Sequence, residues 1–266
     1  MPSHLSSIGV PITSSEALQT LASRLLPGAE VVGTPAGRYF RCRSASGAEL
    51  WLQADRKKRL MGANPHFAGA SRVRLGLTER FHHPDDTELD GAFHAWAEPP
   101  EGDPTTGTYP LVFDVPDAAR FRTLALPRVE EVQLAAFAHE LSVWPSAAAY
   151  EEAHAERDSP ALSVRSFVPS GLFSAQGEPA ADREAQAILT GVVQHAERLD
   201  NEHGGGAFYW LLVDSLGGSF DVVCDPELLA QPPPEGAVVQ GAFWLSGRLV
   251  EHDVPRRGLV DRLFHR

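Results

Sequence analysis

Short alternating runs, each closed off by glycine or proline, dominate this sequence and cut it into pieces of strand length. Residues 29–32, 37–44 and 48–53 read as strands of this kind. Residues 72–80 set Val73, Leu75 and Leu77 against Arg72, Arg74 and Thr78, the period-two pattern of a half-buried strand. Residues 91–97, 109–115 and 132–143 continue the series. The clearest exception comes early. Leu18, Leu21, Leu25 and Leu26 recur at helical spacing, Ser15 is placed to cap the run and Pro27-Gly28 to end it, so a helix is predicted over residues 16–26. Residues 5–12 ahead of it read as a strand. Residues 147–156, behind Ser146, read as a short second helix.

The order strand, helix, three strands is followed by a second set of strands. There the polar stretch 82–89 stands where the second helix would be. Pro160, Pro169, Gly171, Gly177 and Pro179 then break the pattern, as a linker does. Beyond them residues 187–195, 207–214, 219–224, 237–245 and 248–252 read as five strands. Gly217-Gly218 supplies a hairpin turn, and Gly191 and Gly241 mark bulges or sharp coiling. The expected fold is therefore α+β and β-rich. It has a degenerate, paired βαβββ-like module over residues 1–156, a linker over 157–183, and a small five-stranded β-barrel module over 184–266. A C-terminal tail places Leu259, Leu263 and Phe264 on one helical face, suited to docking on its own domain or on a partner.

The first half resembles the vicinal oxygen chelate superfamily of glyoxalases, extradiol dioxygenases and bleomycin-resistance proteins. The likeness is carried by Ile8-Gly9-Val10-Pro11-Ile12-Thr13-Ser14-Ser15, by the helix over 16–26, and by Gly47-Ala48-Glu49-Leu50-Trp51-Leu52-Gln53. The last module resembles an oligonucleotide/oligosaccharide-binding (OB) barrel. The first resemblance implies a divalent metal held by His, Gln or Glu on the first strand of each half and Glu on the last. At the matching positions this chain offers Ser7, then Arg72 and Arg74, with only Glu49 or Gln53 remaining as ligands. Serine and guanidinium are poor metal donors, so the resemblance implies a metal-free member that binds a ligand or partner.

Composition narrows the function further. A hydrophobic content of 43% supports real cores rather than disorder. No run reaches about eighteen apolar residues, so no membrane helix is expected, and the opening residues lack a secretory pattern. A cytoplasmic location is expected. Cys42 and Cys224 read as buried, reduced thiols. The formal charge of −12 is spread over both halves: residues 1–155 hold fourteen basic and nineteen acidic side chains, residues 184–266 six and twelve. Both would repel a phosphate backbone, which disfavours nucleic acid. A protein partner or small ligand fits better.

Candidate chemistry is sparse. There is no nucleophile elbow, Walker loop, dinucleotide fingerprint or Cys-x-x-Cys pair, and no cofactor is expected. Arg56-Lys57-Lys58-Arg59 is the one basic cluster and holds both lysines of the chain. With His66 on the following segment, residues 62–67, which reads as a structured loop by its Asn64-Pro65 turn signal, it is the candidate site for an anionic ligand or acidic partner. His82-His83-Pro84-Asp85-Asp86 reads as a solvated loop. A metal-dependent lyase or dioxygenase is the alternative, with His94, His139 and Glu49 as a facial triad. Single-strand nucleic-acid binding through Phe208-Tyr209-Trp210 and Phe243-Trp244 is the third reading, set against core packing of those rings.

Overall fold

The computed structural model of the protein describes residues 3–83, 85–155, 162–173 and 183–250. The tail bearing Leu259, Leu263 and Phe264 lies outside the described residues. Within them β1 (Glu30–Gly33), β2 (Gly37–Arg43), β3 (Ala48–Asp55) and β4 (Leu60–Phe67) form an antiparallel meander. The remaining strands make one nine-stranded sheet: β5 (Val73–Phe81), β6 (Ala92–Ala97), β7 (Pro110–Asp114), β8 (Arg128–Trp144), β9 (Ser166–Val168), β10 (Gln186–Asp200), β11 (Ala207–Ser215), β12 (Gly218–Cys224) and β13 (Val238–Leu249). Two α-helices accompany them, α1 (Ser15–Leu25) and α2 (Ala147–His154). The chain is β-rich, as its alternation predicts.

The local rules hold with small shifts. Ser14, not Ser15, caps α1, its side chain accepting from Ala17 N at 3.2 Å. Ser146 caps α2 in the same way. The expected strand over residues 5–12 is absent. Ser6–Ile8 forms a 3₁₀ turn ended by Gly9 at φ 72°. Ser3 and Ser6 exchange side-chain-to-backbone hydrogen bonds at 3.0 Å, which satisfy locally what a ladder would otherwise supply. Ile8 and Val10 are buried all the same, so the apolar pattern is used without a strand. The segment read as an Asn-Pro loop is β4. Proline is tolerated there because β4 is an edge strand, with Pro65 opposite Leu50.

The larger surprise is connectivity. Every residue of β13 is paired with β8, in antiparallel register from Val238↔Trp144 to Leu249↔Val132. The other edge of β8 is shared. Residues 128–132 pair with β5, and Ala135–Phe137 pair in parallel with β12. The other edge of β13 is divided likewise, between β10 and a single parallel pair with β7, Ser246↔Asp114. Two five-membered rings result, β8-β5-β6-β7-β13 and β8-β12-β11-β10-β13, fused along their common ladder.

This revises the expected division into modules. Residues 73–114 were read as the second half of a paired βαβββ module, yet they complete a ring with β8 and β13. The two strands expected over 237–245 and 248–252 are one strand as far as Leu249. The fifth strand of the C-terminal ring is β8, from before the expected linker. The physical reason is length. A 17-residue strand has edge enough to serve two partners in succession.

Alternation along the shared ladder sorts inside from outside. Val132, Leu134, Ala136 and Ala138 join the main core with Phe243, Leu245 and Leu249. Ala135 and Phe137 join a second cluster that reaches Leu21 and Ala22 of α1, with Leu50 and Leu52 of β3. The bulge expected near Gly241 falls on the partner strand: pairing steps from Ala242↔Glu140 to Phe243↔Ala138 and skips His139. Gly241 is needed beside it, because a Cβ there would sit 2.1 Å from the Glu140 carbonyl oxygen and 2.9 Å from the Phe243 ring. Gly241→Ala is therefore expected to cost about 2–3 kcal/mol through overpacking. Gly33→Ala, where nothing lies within 4 Å, should be close to neutral. Urea unfolding of the two variants checks the contrast.

Candidate functional site

The four-stranded sheet lies against the outside of the fused rings, and part of that contact is polar. Strand β3 serves both needs by alternation. Ala48, Leu50 and Leu52 join the apolar cluster with α1, while Glu49, Trp51 and Gln53, also buried, carry polar bonds. The Glu49 carboxylate accepts from Arg41 Nε at 3.0 Å, Arg41 Nη2 at 2.5 Å and Trp51 Nε1 at 2.9 Å. Arg43 and Arg248 approach it to 3.7 and 3.6 Å. The guanidinium groups of Arg41 and Arg248 lie 4.9 and 5.1 Å from the Trp51 ring centroid, within cation–π range. Arg41, Arg43, Arg248 and Arg72 together line a cavity of about 250 Å³, with Glu49 and Gln133 at its wall.

A line of buried hydrogen bonds leads away from that cavity. Asp221 accepts from Ala70 N at 3.0 Å, Ser71 N at 2.9 Å, Trp210 Nε1 at 2.9 Å and Gln133 Nε2 at 2.8 Å. Because an ionised carboxylate can only accept, the Gln133 amide nitrogen must point at it. Its Oε1 then accepts from His66 Nε2 at 2.6 Å. In the neutral ring Nδ1 is left as an acceptor for the Ser246 hydroxyl, 2.9 Å away. Gly69 makes room for the start of this line, since a Cβ there would fall 2.3 Å from Asp221 Oδ1.

Ser246, at the far end, borders a second cavity of about 210 Å³ lined also by Asn64, Asp86, Asp90, Asp114 and Trp244. Its carboxylates are individually satisfied. Burial pushes Asp90 up, but hydrogen bonds from Gln53, Asn64 and Thr87 outweigh it and hold the group below the usual range. Burial raises Asp86. Asp114 accepts from Trp244 Nε1 at 2.6 Å and meets His83 Nε2 at 3.5 Å, a contact that raises His83.

The Trp244 ring also carries the N-terminal segment. The His4 ring stacks on it at 4.2 Å and on His139 at 5.0 Å, with the two Nε2 atoms 2.8 Å apart. Burial, and then the neighbouring His139, lower His4 to about 4 against the opposing pull of Asp114.

The sequence-derived candidates are dispersed. His66, expected to line a pocket, is wholly enclosed and bonded on both ring nitrogens. The structure does not bring His94, His139 and Glu49 together. His94 Nδ1 bonds Thr78 at 2.7 Å, His139 bonds His4, and Glu49 is enclosed by arginines. Among the described residues no three His, Cys, Asp or Glu side chains converge as metal ligands. Ser7, the poor ligand of the first-strand motif, is buried in the opening turn. Phe208, Tyr209 and Phe243 are buried rather than presented for stacking. Cys42 and Cys224 are buried free thiols, pushed up by burial to about 11 and about 12.

Arg56, Lys57, Lys58 and Arg59 form the β3–β4 hairpin turn. Arg56, Lys57 and Arg59 border a third cavity, of about 410 Å³. The residues that sequence reasoning passed over are Arg41, Arg43, Arg248, Gln133, Asp221 and Ser246. The usable signal was a charged or amide side chain inside an otherwise apolar strand run.

No family model, curated protein or solved structure matches the chain.

Glu49→Gln would leave the buried guanidinium groups of Arg41 and Arg248 without their shared counter-charge. Removing one partner from a buried ion-pair network costs up to about 3–5 kcal/mol, and Arg41 keeps Glu30 at 3.8 Å, so chemical denaturation should register a loss toward the lower end of that range. A second outcome follows from His4. Its folded-state value lies below the ordinary 6.5 of the unfolded chain. The unfolded state therefore binds more protons between these values, and stability rises with pH. The contribution is complete above about 6.5 and is lost as pH falls toward about 4. At pH ~4.5 the loss should approach roughly 2–3 kcal/mol. Urea midpoints at pH ~7 and ~4.5 should therefore differ more for the wild type than for His4→Gln.

Proposed function

We propose that the chain is a non-enzymatic binding protein whose arginine-lined cavity takes the anionic group of a small ligand. The observation that carries this reading is convergence. Arg41 and Arg43 from β2, Arg72 just before β5 and Arg248 from β13 border one cavity, in a chain whose formal charge is −12. Glu49 lies in the same wall, and Glu30 and Glu131 pair with Arg43 and Arg72 from outside it. Arginine suits the task because its planar fork can grip carboxylate or phosphate through two donors. Glu49 holds Arg41 and Arg248 in place before any ligand arrives, which lowers the ordering cost of binding. The negative charge of the whole chain works against anions at long range, so the site favours a compact anion that can reach the arginines over an extended polyanion.

This replaces the basic hairpin turn as the first candidate for a small anion. The metal-dependent reading has no supporting constellation among the described residues. The nucleic-acid reading needs Phe208, Tyr209 and Phe243 to stack on bases, yet all three rings are buried. The C-terminal ring fits the OB-like reading only in its count of five strands, and fold likeness does not assign a ligand.

Thermal unfolding with inorganic phosphate and with citrate tests the proposal. Either anion, bound to the native state alone, should raise the melting temperature in proportion to its occupancy. Arg43→Gln and Arg72→Gln, at the partly exposed lip, should weaken the effect about tenfold each. No shift up to ~10 mM of either anion, or the same shift in both variants, would refute the assignment.

A further inference from the structure

We propose a second binding surface, independent of the arginine cavity: the β3–β4 hairpin tip and its adjoining cavity dock an acidic segment of a partner protein that carries a large apolar side chain. The hairpin tip carries a local strain. Lys58 occupies the left-handed region at φ 65°, a conformation that glycine adopts freely and a lysine only at a cost. The turn is otherwise tightly built. Lys58 N donates to Asp55 O at 2.9 Å and Asp55 N to Arg59 O at 3.0 Å. Arg59 returns to the Asp55 carboxylate through its backbone N at 2.9 Å and its Nε at 2.7 Å. Arg56 Nε is tied to Pro35 O at 2.8 Å. A glycine at position 58 would serve this geometry better, and a cationic side chain stands there instead.

The tip holds both lysines of the chain. Among the described residues neither ammonium group forms an ion pair, whereas Arg59 has Asp55. The fixed turn thus presents Lys57 and Lys58 to solvent on a protein whose formal charge is −12. Beside them the cavity of about 410 Å³ takes apolar lining from Ala36, Met61 and Leu89, alongside Asp55 and Glu88. Leu60 and Met61, next to the tip, are 36% and 46% exposed. Apolar lining with a cationic lip is complementary to an acidic segment with an apolar anchor. Because exposed Leu60 continues the apolar surface from Met61 beyond the cavity lining, an extended segment fits it better than an enclosed small molecule. Methionine adapts readily to such anchors.

The test is fluorescence anisotropy of the full chain with two labelled nonapeptides, one alternating glutamate with phenylalanine and one alternating glutamate with serine. The phenylalanine peptide should bind, and the serine peptide should bind about tenfold more weakly. The double variant Lys57→Glu/Lys58→Glu should lose about tenfold in affinity with an unchanged melting temperature. Lys58→Gly, which relieves the turn, should keep or raise the melting temperature and still bind more weakly. Arg43→Gln and Arg72→Gln should leave peptide binding intact, which separates this surface from the arginine cavity. Equal binding of the two peptides, or undiminished binding to Lys57→Glu/Lys58→Glu, would overturn the proposal. So would saturable binding of decanoate with no peptide binding, which would assign the cavity to a free amphipathic acid.

Discussion

The ladder between β8 and β13 is the constraint on which everything else is hung. Each strand offers one edge wholly to the other and divides its remaining edge between two further strands. Neither ring can close without both. Closing a ring removes the unpaired N–H and C=O groups that an open sheet would leave at its margins, and here two rings are closed by the same pair of strands. One consequence is mechanical coupling. A disturbance at Gly241 or at the bulge opposite it reaches a core cluster that contains residues of both rings, Leu75 and Phe113 from one, Leu211 and Val222 from the other. The chain connecting β8 to β10 therefore does not separate two independent folding units.

Outside the ladder, the polar contact with the four-stranded sheet fixes how the two layers meet. Apolar surfaces alone tolerate sliding, because many registers bury similar area. A line in which Asp221 dictates the orientation of Gln133, Gln133 that of His66, and His66 that of Ser246 tolerates only one. A strand slip of one residue would turn Glu49 and His66 away and bring Leu50 and Pro65 to the polar positions. Burying these groups is costly, and partial satisfaction would be worse than none. The density of donors around Asp221 and Glu49 is thus a requirement of their burial. The same bonds fix the side chains of Gln133 and Ser246, which border the cavities at either end of the line.

Legibility in the sequence follows the range of the interactions involved. Alternation, caps and turn residues act over a few positions, and they place α1, α2 and most of the strands to within a few residues. The misreadings arise where a local signal had a second interpretation. Asn64-Pro65 suggested a loop, but an edge strand accepts proline. Residues 5–12 suggested a strand, but serine side chains satisfied the backbone locally. Ring membership was not legible, because nothing in residues 128–144 states that one edge will serve β5 and then β12. The same division governs the sites. Arg56, Lys57, Lys58 and Arg59 are contiguous and could be read directly. Arg41, Arg43, Arg72 and Arg248 converge only through the fold, and His66 could be noticed but not enclosed without it.

The two basic sites also differ in electrostatic kind, and the difference bears on what each can bind. Arg59 is largely exposed, and Lys57 and Lys58 are solvated beside it. Their field falls off within a Debye length of about 8 Å at physiological salt, so it can steer and hold a charged chain only weakly and reversibly. Arg41 and Arg248 are buried against Glu49, where screening by mobile ions is much reduced. An anion bound there would have to shed its own hydration, which favours a small, well-matched group held by direct hydrogen bonds. Salt should therefore weaken association at the hairpin tip steeply and association at the cavity only slightly. The acidic remainder of the chain accentuates the contrast, since added salt also screens the long-range repulsion that an anion meets on its way to the buried arginines.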